Sequence, residues 1–278
     1  MATHHPAATI LFCAVAGEDH RLLASTHIAQ LLSNRSTYVQ GMWTNDIVGS
    51  PVGDDGRNNS RILRLFTQGI PSNESESLAA QRLKVGGEND SPSRQLGRFT
   101  REVASNAVTG MRVEMVYRAD RYLRGGDHSP FLAAGYPAAR FTEPRENYAH
   151  QHQDIRIENG TQYGDLPEFC DYYYISRVAK VNAAAIWSLA NAPDTPKNVT
   201  VEVLKLGNKS TFRWGKVRGA VSYEVVWRAT DKAHWERMLD VGNVGEVTVD
   251  LSKDNVVFGV RSVGGNGYRS PAVFPFPG

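Results

Sequence analysis

Apolar residues in the first fifty positions follow the order strand, helix, strand. Residues 8–16 form an unbroken apolar run that ends at Gly17, a pattern typical of a strand covered on both faces of a sheet. Through residues 19–33 the apolar positions recur every three or four residues, which predicts an amphipathic helix. Another apolar run, over residues 38–48, predicts the next strand. A strand, a helix and a strand at this spacing predict a right-handed unit of a parallel sheet.

The middle of the chain combines a loop-rich segment with further regular elements. Residues 50–96 are rich in Gly, Asn, Ser, Pro and Asp, and predict a long insertion with one short strand at residues 62–66. Periodicity predicts five elements that follow: a helix at 93–107, a strand at 111–117, a short helix that ends at 134, a strand at 136–141 and a long helix at 166–192. Residues 1–192 are therefore predicted to form an α/β domain.

Beyond residue 192 the pattern changes to short alternating runs separated by turn residues. Their spacing of about 8 to 12 residues is that of a β-sandwich. Lysine usage changes in the same region, since Lys84 alone of the eight lysines precedes residue 180. Residues 193–278 are therefore predicted to be a second, all-β domain, with strands at 199–204, 210–214, 222–228, 247–251 and 256–262.

The composition is close to that of an average globular protein. The 278 residues include 31 Lys and Arg against 29 Asp and Glu, a net charge of +2, and 41% apolar residues. Collagen-like, disordered and disulfide-stapled classes are thereby excluded. The small net charge predicts no nucleic-acid partner. The longest apolar run is far shorter than the roughly 20 residues of a membrane-spanning helix, and the first residues lack the basic start of a secretory signal. We expect neither a membrane span nor a signal peptide in this chain.

The two cysteines give no basis for a disulfide. Cys13 lies in the first apolar run and Cys170 in the long predicted helix, far apart in the sequence. Both are predicted to be buried free thiols.

Acidic and imidazole side chains follow the predicted strands, where α/β sheets place their sites. They are Glu18 and Asp19 after the first strand, Asp46 after the second, and His150 and His152 in a later loop. Adjacent carboxylates repel one another, and a mixture of carboxylates and imidazole suits zinc. Simpler interpretations stay open: the first pair can cap a helix, Asp46 can solvate a turn, and the histidines can lie in a polar surface loop.

The order of these motifs resembles the co-catalytic di-zinc aminopeptidases, which are related to glutamate carboxypeptidase and glutaminyl cyclase. The resemblance covers residues 8 to about 191. It implies a partial three-layer, mostly parallel α/β sheet of the zinc exopeptidase type. The matching segments are Gly17-Glu18-Asp19, Asn45-Asp46-Ile-Val-Gly49, Gly126-Asp-His-Ser-Pro-Phe131, Gly135-Tyr-Pro-Ala-Ala-Arg-Phe-Thr-Glu143 and Glu146-Asn-Tyr-Ala-His150-Gln-His152-Gln-Asp154.

The C-terminal part, from about residue 194, resembles a fibronectin type III domain, an all-β sandwich. The resemblance rests on the aromatic residues of three predicted strands, in Phe212-Arg-Trp214, Tyr223-Glu-Val-Val-Trp-Arg228 and Phe258-Gly-Val-Arg-Ser-Val263. Several secreted bacterial aminopeptidases of the resembled family carry such a module at the same end.

The aminopeptidase resemblance implies a role for each candidate residue. Glu18 matches the general base, Asp19 and His150 match ligands of one zinc, with His152 as the alternative to His150, and Asp46 matches a ligand of the other. In the family, zinc acidifies water and polarises the peptide carbonyl, while the base carries the proton to the leaving amine. The implied substrates are peptides or proteins with a free amino terminus.

The sequence also departs from the family pattern. The family's other zinc histidine and its bridging aspartate precede the Gly-Glu segment and have no counterpart here, and Asp19 stands in place of a glutamate. We therefore expect an N-terminally truncated zinc metallo-aminopeptidase that is weak or inactive, holds at most one zinc weakly, and self-associates through an exposed sheet edge. The alternative is a non-catalytic remnant that binds partners through its fibronectin-like region. Relatives are mostly secreted or periplasmic.

Overall fold

A mixed four-stranded sheet organises the first part of the chain in the computed structural model, which describes residues 3–278. Its strand order is β1-β4-β2-β3; β1 pairs parallel with β4 and β2 with β3, whereas β2 and β4 are antiparallel. The elements are α1 (Leu23–Asn34), β1 (Met42–Asn45), β2 (Ile62–Thr67), α2 (Glu76–Lys84), α3 (Pro92–Ala104), β3 (Arg112–Val116), α4 (Ser129–Ala133), β4 (Ala138–Thr142), the hairpin β5 (Arg156–Glu158) and β6 (Thr161–Tyr163), and α5 (Tyr172–Asn191).

Helices cover both faces of this sheet, so the region has three layers. The alternation of side chains along β4 shows both layers. Ala139 and Phe141 pack with residues of α3 and α5 in the larger hydrophobic core. Ala138 packs on the other face with residues of α1 and α4. The mostly parallel α/β architecture predicted from the sequence is confirmed.

The helices that brace the sheet begin at residues that favour helix starts. The Ser91 hydroxyl accepts the backbone N–H of Arg94, and Pro92 occupies the first turn of α3. The Asp171 carboxylate accepts the N–H of Tyr174 at the start of α5. The long helix begins at Tyr172 and not at residue 166 as predicted. Pro167 begins a separate 3-10 turn, Pro167–Phe169.

The prediction of a strand at residues 8–16 is wrong. This segment lies outside every sheet, and Leu11 and Phe12 expose 65% and 71% of their surface. A strand needs a neighbouring strand for its backbone groups, and no described residue pairs with this segment along its length. The predicted unit of strand, helix and strand is consequently wrong as well, since α1 leads into a β1 that pairs with β4.

Other differences from the predicted elements are smaller. Cys13 is exposed and Cys170 half-buried just before α5, so the prediction of two buried thiols is wrong. The helix α2 forms inside the segment predicted as a loop. The remaining predicted helices and strands of the region are present, with ends that differ by a few residues. No helix among residues 3–278 is long and apolar enough to span a membrane.

Seven strands at the C-terminal end form two packed sheets. One has the order β10-β9-β12 and the other β11-β8-β7-β13, and they enclose a second core that includes Phe212, Tyr223 and Phe258. The five predicted strands are present, and two more, β10 and β13, were not predicted. The strands are β7 (Lys197–Val201), β8 (Ser210–Gly215), β9 (Ala220–Ala229), β10 (Arg237–Gly242), β11 (Glu246–Val249), β12 (Val256–Gly264) and β13 (Phe276–Pro277).

A buried carboxylate ties this sandwich to the α/β region. Asp90, just before α3, accepts hydrogen bonds from Gln95 and Arg98 at 3.0 and 3.1 Å and from Arg228 of β9 at 2.6 Å. Arg98 also donates to the carbonyl of Ala233, which belongs to the sandwich. Two guanidinium groups buried beside one carboxylate fix how the sandwich lies on α3.

Replacing Asp90 by asparagine should destabilise the whole chain, because two buried guanidinium groups would lose their counter-charge. We expect the free energy of unfolding, measured by urea denaturation, to fall by about 3–5 kcal/mol. The matched control is Asp231→Asn, since this carboxylate pairs with Lys232 on the exposed surface and should change stability by less than about 1 kcal/mol. Similar losses in the two variants would show that Asp90 has no special role.

Candidate functional site

A cavity of about 860 Å³ lies at the carboxyl ends of β1 and β4. Because these two strands are parallel and adjacent, the residues that follow them, Asp46 and Glu143, reach the same edge of the sheet. The cavity is lined by these two residues and by Glu18, Asp19, Arg21, Leu22, Ile47, Gly49, Ser50, Arg121, Arg124, Gly125, Asn147, His150, Gln151, His152, Asp165, Leu166, Phe169 and Cys170.

All five residues singled out from the sequence line this cavity. Glu18 and Asp19 come from the turn before α1, Asp46 from the end of β1, and His150 and His152 from the loop before β5. They come from three separate segments, so the fold brings together residues that the sequence places far apart. Their individual roles stay predictions.

Glu18 and Asp19 do not cap α1. The residue at the N-cap position is Leu22, no side chain there accepts a hydrogen bond, and the first turn contains no acidic residue. The helix-capping interpretation is therefore wrong. Burial raises the pKa of Glu18 above its ordinary value, and the nearby carboxylates of Asp46 and Asp19 raise it further.

Asp46 forms an ion pair with a fully buried arginine, Arg140. The Asp46 Oδ2 atom lies 2.8 Å from Arg140 Nη2. The other terminal nitrogen of Arg140, Nη1, donates to Asp120 at 2.9 Å and to the carbonyl of Gly125 at 2.9 Å. Asp46 is thus more than a turn residue in contact with water. Sequence reasoning gave Arg140 no role, although a single charged residue inside the apolar run Ala-Ala-Arg-Phe of β4 was the available signal.

His150 is held by a ring stack. Its imidazole lies parallel to the Phe169 ring, with centroids 3.5 Å apart and an interplanar angle of 2°, and Asn147 Nδ2 lies 3.4 Å from its Nε2. Burial lowers the pKa of His150, which favours the neutral imidazole, the form that ligates metals. His152 is exposed, with its Nδ1 3.9 Å from Asp19 Oδ1.

The donor types in this cavity suit zinc, but their arrangement does not. Carboxylates and imidazoles are appropriate zinc ligands. Among the described residues, however, no three His, Cys, Asp or Glu side chains lie close enough together to hold a metal ion. One carboxylate oxygen of Asp46 is already committed to Arg140. The residues as arranged therefore do not form a preassembled zinc site, and holding a zinc ion would require some of them to move.

Two further glutamates, Glu143 on the cavity wall and Glu146 in contact with the lining residues Arg121 and Arg124, were given no role by sequence reasoning. Glu143 accepts the backbone N–H of Ser50 at 2.9 Å, and burial raises its pKa to about 8. Glu146 pairs with three arginines, Arg64 among them. Both glutamates follow β4 and stand in segments that carried the family resemblance, Glu143 at the end of 135–143 and Glu146 at the start of 146–154. Their acidic side chains close to the end of a strand were the only sequence signal of a role at the site.

Comparison with known proteins gives a family for the α/β region. A model described as Peptidase family M28 matches residues 1–164. The chain is 57% identical to a probable zinc metalloprotease of Pyrenophora tritici-repentis, 56% to one of Leptosphaeria maculans and 55% to one of Pyricularia oryzae. Each match covers the whole of this chain. It covers only 58%, 65% and 57% of the respective relatives. The chain thus spans about six tenths of the length of these curated relatives.

Two solved structures show weaker likeness. An aminopeptidase from Aneurinibacillus sp. strain AM-1 matches 62% of this chain and 31% of its own, with a TM-score of 0.34 and 20% identity. A Fn3-like protein from Clostridium thermocellum matches 30% of this chain and 86% of its own, with a TM-score of 0.26 and 19% identity.

The raised pKa of Glu143 should make stability depend on pH. The folded carboxyl keeps its proton up to about pH 8, whereas the unfolded one loses it near 4.5. Folding therefore takes up a proton between these values, and the free energy of unfolding should fall as pH rises through this window. Glu143→Gln, which has no proton to bind, should lack that fall when urea denaturation is measured from pH 5 to 9.

The control for this comparison is Glu158→Gln, in the exposed hairpin of β5 and β6. Its stability should follow that of the unmodified chain at every pH. Parallel pH curves for Glu143→Gln and the unmodified chain would contradict the assignment of a protonated carboxyl at this position.

Proposed function

Because the chain belongs to peptidase family M28, whose model matches more than half of its residues, we propose that it is a zinc-dependent aminopeptidase. It would hydrolyse the peptide bond next to a free amino terminus. The observation that carries this proposal is the cavity at the ends of β1 and β4, which gathers Glu18, Asp19, Asp46 and His150. The names of the relatives, probable zinc metalloproteases, agree with a peptidase.

Glu18 is proposed as the general base. A base works best when its pKa lies close to the working pH, and burial together with the surrounding carboxylates moves the pKa of Glu18 in that direction. Its place on the cavity wall gives it access to a bound peptide and to a water molecule beside it. Its task would be to take a proton from the attacking water and to return it to the leaving amine.

Asp19, Asp46 and His150 are proposed as the metal-binding residues, with His152 as the alternative to His150. We propose that this chain alone holds at most one zinc, weakly. Asp46 can reach a metal with both oxygens only by leaving Arg140, and the described residues contain no ready group of three ligands. Weak metal binding in turn makes weak turnover the expected behaviour of this chain.

Three further assignments stay predictions. The first is the domain boundary near residue 193, between the end of α5 and the start of β7. The second is localisation, for which the sequence gives only that the resembled family is mostly secreted or periplasmic. The third is the alternative of a non-catalytic protein that binds partners through its fibronectin-like region, for which we see no specific support in the sandwich.

Turnover by the zinc-supplied chain should be low and should depend on Glu18. We expect slow hydrolysis of leucine p-nitroanilide, a further drop of about 10²- to 10⁴-fold in kcat for Glu18→Gln because general base catalysis contributes that much, and an unchanged zinc content. The control is Glu114→Gln on β3, at the opposite edge of the sheet, which should retain full activity.

Rapid turnover by the unmodified chain would contradict the proposed weak state. A chain that takes up no stoichiometric zinc at high supplied concentration and shows no turnover would favour the non-catalytic alternative. Equal turnover by Glu18→Gln and the unmodified chain would show that Glu18 is not the general base.

We also propose self-association through the outer edge of β1. Among residues 3–278 this strand pairs with β4 alone, and an unpaired strand edge readily accepts another strand. The exposed apolar side chains of Leu11 and Phe12 add a surface that favours burial.

Light scattering coupled to size-exclusion chromatography should therefore give a mass that rises with protein concentration. The double substitution Leu11→Lys and Phe12→Lys should reduce that rise by removing the apolar surface. The matched control replaces the exposed Leu204 and Leu206 of the sandwich by lysine and should leave the association unchanged. A monomer at all concentrations would contradict the proposal.

A further inference from the structure

One wall of the cavity contains arginines that share a single buried carboxylate. Glu146 Oε2 accepts hydrogen bonds from Nη1 of Arg121 at 3.1 Å and from Nη1 of Arg124 at 3.3 Å. Its other oxygen, Oε1, accepts Nη2 of Arg64 at 3.2 Å. The Glu146 side chain is almost fully buried, so its position is fixed and it holds the three guanidinium groups in place.

The arginines around Glu146 give this side of the cavity an excess of positive charge. Arg121 and Arg124 line the cavity, and together with Arg64 they share one buried carboxylate, Glu146. Asp120 also lies near Arg121, but its carboxylate is engaged by the buried Arg140. The raised pKa of Glu143 leaves that neighbouring side chain mostly uncharged at neutral pH, so it does not offset the excess.

Two of the guanidinium groups have a terminal nitrogen to spare. Arg121 and Arg124 both line the cavity, and each uses Nη1 for Glu146. Nη2 of each has no hydrogen-bond partner among the described residues, and 36% of the Arg124 side chain is exposed. The spare donors therefore belong to a part of the wall that a ligand in the cavity can contact.

Such a pair of guanidinium groups is suited to recognising the carboxylate of a peptide. Guanidinium groups bind carboxylates through charge-assisted and often bidentate hydrogen bonds. Arg121 and Arg124 are already held by Glu146, so less side-chain entropy is lost when a ligand binds. The carboxylates of Glu18, Asp19 and Asp46, which also line the cavity, repel a ligand carboxylate and so favour its binding at Arg121 and Arg124.

We propose that Arg121 and Arg124 form a carboxylate-binding subsite that selects peptides with a negative charge close to the scissile bond. This inference rests on the proposed peptidase function, whose substrate class it narrows. A cavity of about 860 Å³ lies within the range of roughly 300–1,000 Å³ that small ligands occupy, so a dipeptide or tripeptide fits. The carboxylate can be the free C-terminus of a short peptide or an acidic side chain next to the amino-terminal residue.

The test is calorimetric binding of peptide pairs to the full chain in the presence of a metal chelator, so that no hydrolysis takes place. Leu-Gly against Leu-Gly-amide tests the C-terminal carboxylate. Leu-Glu-amide against Leu-Gln-amide tests the acidic side chain. In at least one pair the carboxylate peptide should bind about tenfold more tightly, as expected for a hydrogen bond between charged groups.

Substitution of Arg124 tests whether the preference for carboxylate peptides depends on the proposed subsite. Arg124→Gln should abolish the preference within the pair, and Arg124→Lys, which keeps the charge but loses the fork of donors, should retain part of it. The matched control is Arg213→Gln, since Arg213 pairs with carboxylates on the exposed surface of the sandwich and should leave the preference unchanged. Circular dichroism melting checks that each variant is folded.

The binding test distinguishes failure of the carboxylate subsite from failure of the proposed peptidase function. Equal affinities within both pairs, no binding of any of the four peptides at millimolar concentration, or a preference that survives in Arg124→Gln would overturn it. A preference that is lost in Arg124→Gln would support it even if the chain binds no zinc and hydrolyses nothing.

Discussion

The buried guanidinium group of Arg140 is the constraint on which the cavity depends. A charged group without access to water must be paired, because an uncompensated charge in the interior costs several kcal/mol. Arg140 meets this requirement through Asp46, at the end of β1, and through Asp120 and Gly125, in the segment before α4. The strand β4 thereby joins the acidic side of the cavity to the segment that carries Arg121 and Arg124.

That arrangement explains why the cavity gathers charged side chains of both signs and yet is not assembled as a metal site. The acidic side gathers Glu18, Asp19 and Asp46, whose mutual repulsion is relieved in part by Arg140. The cationic partner of Asp46 is thus a side chain of the same protein. Arg121 and Arg124 bring charge of the reverse sign to the cavity wall, and they share the buried Glu146 with Arg64.

Much of the fold could be predicted from local pattern. Periodicity located α1, β2, α3 and five of the seven strands of the sandwich, because each buries one face or stripe of apolar residues. The segment 8–16 shows the limit of that reasoning. Its apolar run is typical of a strand, but strand formation depends on a neighbour that local sequence does not specify, and in the described residues it has none.

The cavity was only partly predictable for a similar reason. Glu18, Asp46 and His150 could be found because they follow strands or stand in ordered motifs. The partners that determine their behaviour could not, since an ion pair such as Asp46 with Arg140 joins residues far apart in the sequence and leaves no periodic signal. Arg140 was visible as a charge within an apolar strand, but which carboxylates it would meet depended on the sheet order β1-β4-β2-β3.

The most direct test of this account is the zinc dissociation constant of the full chain, measured by competition with a fluorescent chelator, for the unmodified chain and for Arg140→Met. We expect the unmodified chain to bind zinc far more weakly than sites that hold it with about 10–16 kcal/mol, and we expect a higher affinity in folded Arg140→Met, where Asp46 is released from its ion pair. Binding by the unmodified chain within that range, or an affinity that falls in a folded Arg140→Met, would contradict the claim that the ion pair of Arg140 and Asp46 limits the site.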